Sequence, residues 1–238
     1  MPGRADAVLA PSSVAVVIPA YQAAGTIAHL VTRTRQAVPA ATVYVVDDGS
    51  TDGTRDEGRG TGVTVLGHPR NLGKGAALAT GIATALEDGA GVIVTLDADG
   101  QHPPEEIPRL VAPVAAGEAE LVLGARARAG EMPLARRCTN WLSAALASRI
   151  GGRAVPDAQT GFRALSRHAA ETVRPWQRGY DFETAFLLEA LARGLAVRFI
   201  PVPTVYEGQP SHFRHWRDTW RLARVFTRYG RAIIFGAR

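Results

Sequence analysis

The stretch Val92-Ile93-Val94-Thr95-Leu96-Asp97-Ala98-Asp99-Gly100-Gln101 runs from a β-branched apolar segment straight into two carboxylates. Val92–Leu96 has the composition of a buried strand. Residues two apart on an extended chain face the same side, so Asp97 and Asp99 can converge on one point. Paired carboxylate oxygens suit Mg²⁺ or Mn²⁺, hard ions that share their ligands with phosphates, and Gln101 offers a further oxygen. An isolated Asp-x-Asp is more often a turn-capping device. Its place at the end of a buried strand, with a second acidic pair elsewhere in the chain, favours a ligand site.

Upstream, the same pattern recurs. Val14–Ile18 reads as a first strand stopped by Pro19, followed by a helix with Thr26 as N-cap. Thr42–Val46 reads as a second strand that enters Asp47-Asp48-Gly49-Ser50, and Val63–Leu66 as a third, followed by a loop at Arg70 and a helix over Gly75–Glu87. Downstream, Pro103-Pro104-Glu105-Glu106 opens a helix, with proline and acids where a first turn accepts them. Leu121–Gly124 is a fifth strand. Helices are expected over Asn140–Arg149 and Phe182–Arg193, a strand over Val197–Ile200, and a long helix at the end. Short strands alternating with helices define an α/β class: a single domain with a mainly parallel twisted sheet. Open sheets of this kind bind ligands at the carboxyl ends of their strands, where the acidic clusters fall.

Asp47 and Asp48 form the second acidic pair. At the end of strand two, one carboxylate is expected to meet a ribose or base while the other serves the turn. Arg70-Asn71-Leu72-Gly73-Lys74-Gly75 lacks the first glycine and the Ser/Thr of a Walker A loop, and no G-x-G-x-x-G follows the first strand. Its glycines still allow close approach of backbone to phosphate at a helix start. Phosphate binding and a purely structural loop both stay open. Lys74, the only lysine of the chain, is the candidate cation there.

The 238 residues are 46% hydrophobic and 21% charged, enough for one well-cored domain. Cys138 is the single cysteine, so no intrachain disulfide forms, which fits a cytoplasmic setting. No apolar run approaches the roughly 20 residues that span a bilayer. Residues 1–13 read as a flexible polar leader and 14–206 as the folded domain that carries the acidic clusters. Between Ser211 and Arg238 stand seven arginines against one acid, Asp218, more than the whole net charge of +5. Excess charge confined to the tail argues against a nucleic-acid-coating surface. Over 211–235 an amphipathic helix places Arg214, Arg217, Arg221, Arg224, Arg228 and Arg231 within an arc of about 100°, apart from Trp216, Trp220, Phe226 and Ile233. That pattern suits an anionic membrane surface or packing on the domain, and one helix can do both.

Five ordered motifs carry a family resemblance: Val17-Ile18-Pro19-Ala20-Tyr21, the Val46–Thr54 segment, Arg70–Ala76, Leu96–Pro104 and Asp157-Ala158-Gln159-Thr160-Gly161-Phe162-Arg163. Together they resemble the inverting glycosyltransferases of the GT-A fold, in particular the polyprenyl-phosphate (dolichyl-phosphate) mannose and glucose synthases. The resemblance implies that Pro19, Ala20, Tyr21 and Asp47 or Asp48 hold the nucleoside, with Lys74, Asp97 and Ala98 bordering the nucleotide. It implies that Asp97, Asp99 and Gln101 hold the metal. It places Arg126, Arg128 and Arg163 near donor or acceptor phosphates, which a forked guanidinium suits, and Asp157 near the acceptor as a possible base. The family usually carries Asn-Glu after the tyrosine, where this chain has Gln22-Ala23.

The implied activity is metal-dependent, inverting transfer of a hexose from a nucleotide-diphosphate sugar, of the GDP-mannose or UDP-glucose type, to a lipid phosphate at the inner membrane surface. The alternative keeps fold and donor but uses a soluble hydroxyl acceptor. A nucleotidyltransferase would need a glycine-rich basic loop after strand one, where Pro19-Ala20-Tyr21-Gln22 stands. A non-catalytic binding module would not need both metal-position aspartates.

Overall fold

Successive side chains of a strand point to opposite faces, and in the central strands both faces are apolar because helices cover both. The computed structural model describes residues 14–126, 134–175, 177, 179, 181–203 and 225–227. Seven strands form one sheet in the order β3-β2-β1-β4-β6-β5-β7. They are β1 (Val14–Ala20), β2 (Thr42–Asp47), β3 (Thr64–Gly67), β4 (Val92–Thr95), β5 (Leu121–Arg126), β6 (Arg163–Ser166) and β7 (Val197–Val202). All pairs are parallel except those of β6, which runs antiparallel between β4 and β5. The expected mainly parallel sheet is therefore present, with one reversed strand that local sequence pattern does not announce.

Helices α1 (Ile27–Ala37) and α4 (Ile107–Ala115) cover one face, over Val16, Ile18, Val43, Val45 and Val94. The other face carries α3 (Lys74–Glu87), α5 (Leu134–Gly151), α6 (Arg167–Thr172) and α7 (Phe182–Ala192), over Val17, Val46, Ile93 and Leu123. A short α2 (Thr54–Gly60) and a 3₁₀ turn (Pro104–Glu106) complete the described elements, the turn standing where the helix start was expected. Val225–Thr227 is helical, with Val225 and Phe226 buried in the second core and Thr227 exposed. The leader, Arg128 and the rest of the helix expected over 211–235 lie outside the described residues.

Two local expectations are corrected. Pro19 does not stop β1, which continues to Ala20 in register with Asp47. Val17 faces β4, its carbonyl accepting from Leu96 N, so Pro19 points the same way, beyond the last β4 partner at Val17↔Thr95. Its missing N–H costs no ladder bond there. Thr26 stands at the N-cap of α1 but makes no side-chain cap bond. Its hydroxyl donates to Ala23 O at 2.9 Å and to Ala98 O at 3.1 Å, tethering α1 to the Asp97–Asp99 loop.

Candidate active site

The β4 end is held from three sides. Leu96 N donates to Val17 O, Thr26 Oγ1 to Ala98 O, and Thr95 Oγ1 to Gly161 O at 2.6 Å. Asp99 accepts Gln101 N on Oδ1 at 3.0 Å, turning the chain back through Gly100. A Cβ at Gly161 would lie 2.3 and 2.4 Å from the two carboxylate oxygens of Asp97. Glycine at 161 is thus what makes room for the Asp97 carboxylate.

Asp97 Oδ1 receives Lys74 Nζ at 2.7 Å, and the same ammonium reaches Glu183 Oε1 at 2.6 Å. Burial pushes the Asp97 carboxyl up, but Lys74's charge and hydrogen bond, with His102 and Arg126, bring it below the ordinary value. Burial likewise opposes the charge on Lys74, and its two carboxylates more than reverse that, so it stays an ammonium. The Asp99 carboxyl is raised, first by desolvation and then by the like charge of Asp97. The repulsion is the part a cation would reverse.

Among the described residues no three His, Cys, Asp or Glu side chains are grouped to cage an ion by themselves. Two repelling carboxylates at a strand end fit instead an Mg²⁺ or Mn²⁺ that completes its shell with phosphate and water. Gln101 lies beside them on the same turn, its backbone already bound to Asp99.

Arg126, at the end of β5, grips Asp157 through two hydrogen bonds, Nε to Oδ2 at 2.7 Å and Nη2 to Oδ1 at 3.2 Å. Asp157 also accepts Gln159 N. Burial raises its carboxyl, and the charge and hydrogen bonds of Arg126 outweigh that, leaving it below the usual carboxylate range. His102 is buried against Phe162, ring centroids 5.4 Å apart. Burial lowers its imidazole to about 4, with Asp97, Arg126, Asp157 and Lys74 all close enough to act on it. It is neutral at physiological pH.

Arg163 departs from its expected place beside phosphates. It is 3% exposed, and its guanidinium donates to the carbonyls of Thr160, Glu183 and Ala158. Burial lowers it to about 10. It braces the 157–163 loop against α7 from the protein interior.

The second acidic pair is also turned inward. Asp47 accepts Ser50 N on Oδ1 and Arg55 Nε on Oδ2, at 3.0 and 2.7 Å. Asp48 hydrogen-bonds His68 Nδ1 at 2.7 Å and accepts Leu72 N and Gly73 N at 2.9 and 2.8 Å. One carboxylate of the pair was expected to face a ligand; both are buried here, and each oxygen has a protein donor. Asp48 pins the Arg70–Gly75 loop and so sets where Lys74 begins α3, while Asp47 holds the turn at Ser50 and the side chain of Arg55. Gly49, at φ 71°, serves the same approach, since a Cβ there would lie 2.3 Å from the Arg70 carbonyl carbon.

At the end of β1, Pro19 and Ala20 are buried and Tyr21 is 40% exposed. The next four backbone N–H groups are all taken by side chains from 50–57: Gln22 by Ser50, Ala23 by Thr54, Ala24 by Asp52 and Gly25 by Glu57. The backbone amides of the loop that joins β1 to α1 are thus used within the protein from residue 22 to 25. Gln22, at φ 52°, also locks its amide onto Thr51.

Sequence reasoning missed Glu183 and His102. The available signal for Glu183 was a charged residue in a helix apolar on every side: Phe182, Ala185, Phe186, Leu187 and Leu188 are all buried around it. His102 lay inside a recognised motif, but nothing local indicated that it would be buried.

A parallel-rich sheet with carboxylates, a lysine and an arginine gathered at its strand ends fits a transferase of the GT-A class. The chain matches the family model described as Glycosyl transferase family 2 over residues 15–174 and belongs to that family. It is a glycosyltransferase. It is 31% identical to undecaprenyl-phosphate mannosyltransferase of Micrococcus luteus over 81% of this chain and 83% of that one. It is 32% identical to polyprenol monophosphomannose synthase of Mycolicibacterium smegmatis, over 79% and 75%. In fold it is similar to glucosyl-3-phosphoglycerate synthase of Mycobacterium tuberculosis, solved with Mn²⁺, UDP-glucose and phosphoglyceric acid. There the TM-score is 0.73 at 24% identity, covering 92% of this chain and 79% of the other.

Proposed function

We propose that this enzyme transfers a hexose from a nucleotide-diphosphate sugar to a polyprenyl phosphate, with inversion at the anomeric carbon. The observation that carries the acceptor assignment is the Arg126–Asp157 pair. A hydroxyl acceptor needs a base of suitable pKa within reach. Asp157 is bound on both oxygens by Arg126 and held below the usual carboxylate range, which makes it a weak base. His102, lowered to about 4, is no better. A phosphate monoester, with a second pKa of about 6, arrives ionised and needs neither. The names of the relatives in Micrococcus luteus and Mycolicibacterium smegmatis support the same acceptor class.

In this reading Tyr21 offers its exposed ring to the nucleoside beside Pro19 and Ala20, and Ala98 lies under the nucleotide. Asp47 and Asp48 shape that pocket without contacting the ligand. Asp97 and Asp99, with Gln101 adjacent, would hold Mg²⁺ or Mn²⁺, which when bound supplies positive charge to the leaving diphosphate. Lys74 adds a fixed positive charge at the same edge. Arg126, oriented by Asp157, faces the acceptor phosphate. The arginine-rich sequence of the tail would bring the enzyme to an anionic cytoplasmic membrane surface as a peripheral protein. Among the described residues no helix is long and apolar enough to cross a membrane.

The soluble alternative retains one supporting observation: the synthase of similar fold was solved with phosphoglyceric acid, a water-soluble molecule. A panel of GDP- and UDP-sugars against polyprenyl phosphate, phosphoglycerate and neutral sugars, with Mg²⁺ or Mn²⁺, separates the two. Lipid-linked product with retention of the phosphate is expected; turnover confined to water-soluble acceptors would overturn the lipid assignment.

A further inference from the structure

We propose that Glu183 is a positioning residue that acts through Lys74 to set how strongly Asp97 holds a divalent cation. The inference rests on the reading of Asp97 and Asp99 as the metal pair. Lys74 Nζ lies between two carboxylates, 2.7 Å from Asp97 Oδ1 and 2.6 Å from Glu183 Oε1. The Glu183 side chain is 3% exposed and that of Asp97 22%, so the inner carboxylate is shielded from any ligand while the outer one opens to the cleft. An ammonium shared in this way spends part of its charge on Glu183. Asp97 would therefore keep enough negative character to hold a cation while Lys74 occupies Oδ1.

Glu183 is fixed from a second direction. Its carbonyl accepts Arg163 Nη1 at 2.7 Å, and the same guanidinium holds the carbonyls of Thr160 and Ala158. That loop carries Gly161, which abuts the Asp97 carboxylate. The first turn of α7 thus controls Asp97 by charge through Lys74 and by shape through the loop. Partners of metal ligands commonly change metal affinity by 10–100-fold when removed.

Without the Glu183 charge, the whole ammonium charge falls on Asp97 and competes with the cation. Mn²⁺ binding, followed by electron paramagnetic resonance of the free ion with Mn²⁺ alone and with added UDP or GDP, reads this directly. Glu183→Gln should raise the Mn²⁺ Kd about tenfold or more, and the double variant Lys74→Met/Glu183→Gln should return it to within about threefold of wild type. The double variant removes the inner pair together and leaves only Asp97, whose side chain is 22% exposed, so the net charge of the group is that of wild type and no fully buried charge is orphaned. An unchanged Kd in a folded Glu183→Gln protein, or tenfold weaker binding by the double variant, overturns the proposal. Asp99→Ala separates the two levels. If wild type binds Mn²⁺ and Asp99→Ala does not, while Glu183→Gln binds normally, only the role of Glu183 falls. If wild type binds no Mn²⁺ with either nucleotide, the metal reading falls and takes this inference with it.

Discussion

Replacing Gly161 by alanine would put a methyl carbon 2.3 and 2.4 Å from the oxygens of Asp97. Close C–H···O contacts run at about 3.3–3.6 Å, so something must move by about 1 Å. The backbone of residue 161 has little freedom to yield, because Thr95 Oγ1 holds its carbonyl at 2.6 Å from inside the sheet. Its φ is not among the positive values, so alanine brings no backbone strain of its own. The carboxylate is what moves, and it is tied to Lys74 at 2.7 Å. A misplacement of about 1 Å at a reacting centre costs about 100-fold in rate. At 1.36 kcal/mol per decade that is about 2.7 kcal/mol of transition-state stabilisation. The assay is kcat/KM for the nucleotide sugar across a Mn²⁺ titration, with thermal unfolding as the control for the fold. A variant that melts like wild type and keeps kcat/KM within about threefold would refute the claim that this contact positions Asp97 for catalysis.

Asp99→Ala should lower turnover by about 100-fold or more while leaving the melting curve in place, because Asp99 is exposed and a bound cation contributes several kcal/mol; full activity would remove its metal role. Asp48→Ala strips acceptors from Leu72 N, Gly73 N and His68, which should cost about 3 kcal/mol and lower Tm by about 6–12 °C in calorimetry. Arg126→Met leaves Asp157 buried without its cation, so activity should collapse and stability fall by about 3 kcal/mol in urea titrations. The same pair gives a pH dependence. The Asp157 carboxyl is lower in the folded than in the unfolded chain, where it titrates near 3.9. Its stabilisation is therefore complete above about pH 5 and is lost as pH falls through the folded value, a loss that acid unfolding should show in wild type and not in Arg126→Met.

The legible part of the fold was the part governed by local periodicity. Strands such as Val14–Ala20 and Thr42–Asp47 are β-branched and apolar on both faces, which only a doubly covered sheet explains. Strand β6 was missed because its four residues, Arg163 to Ser166, begin with a buried arginine and show no alternation to read. The inward turn of Asp47 and Asp48 was hidden for a related reason. Asp-Asp-Gly-Ser looks the same whether its carboxylates meet a nucleotide or, as here, Arg55 and the amides of residues 72 and 73.

By itself the sequence determined the α/β class, the strand ends at which charge collects and the pair Asp97 and Asp99, because each follows from spacing along one segment. Tertiary structure alone decided which distant groups meet there: Lys74 from the start of α3, Glu183 from α7, and Gly161 from the loop before β6. Insertion of β6 antiparallel between β4 and β5 brings that loop against Asp97, and it turns Arg163 to the interior. No local period encodes such a meeting. It arises from the order of strands in the sheet and from the requirement that every buried charge find a partner.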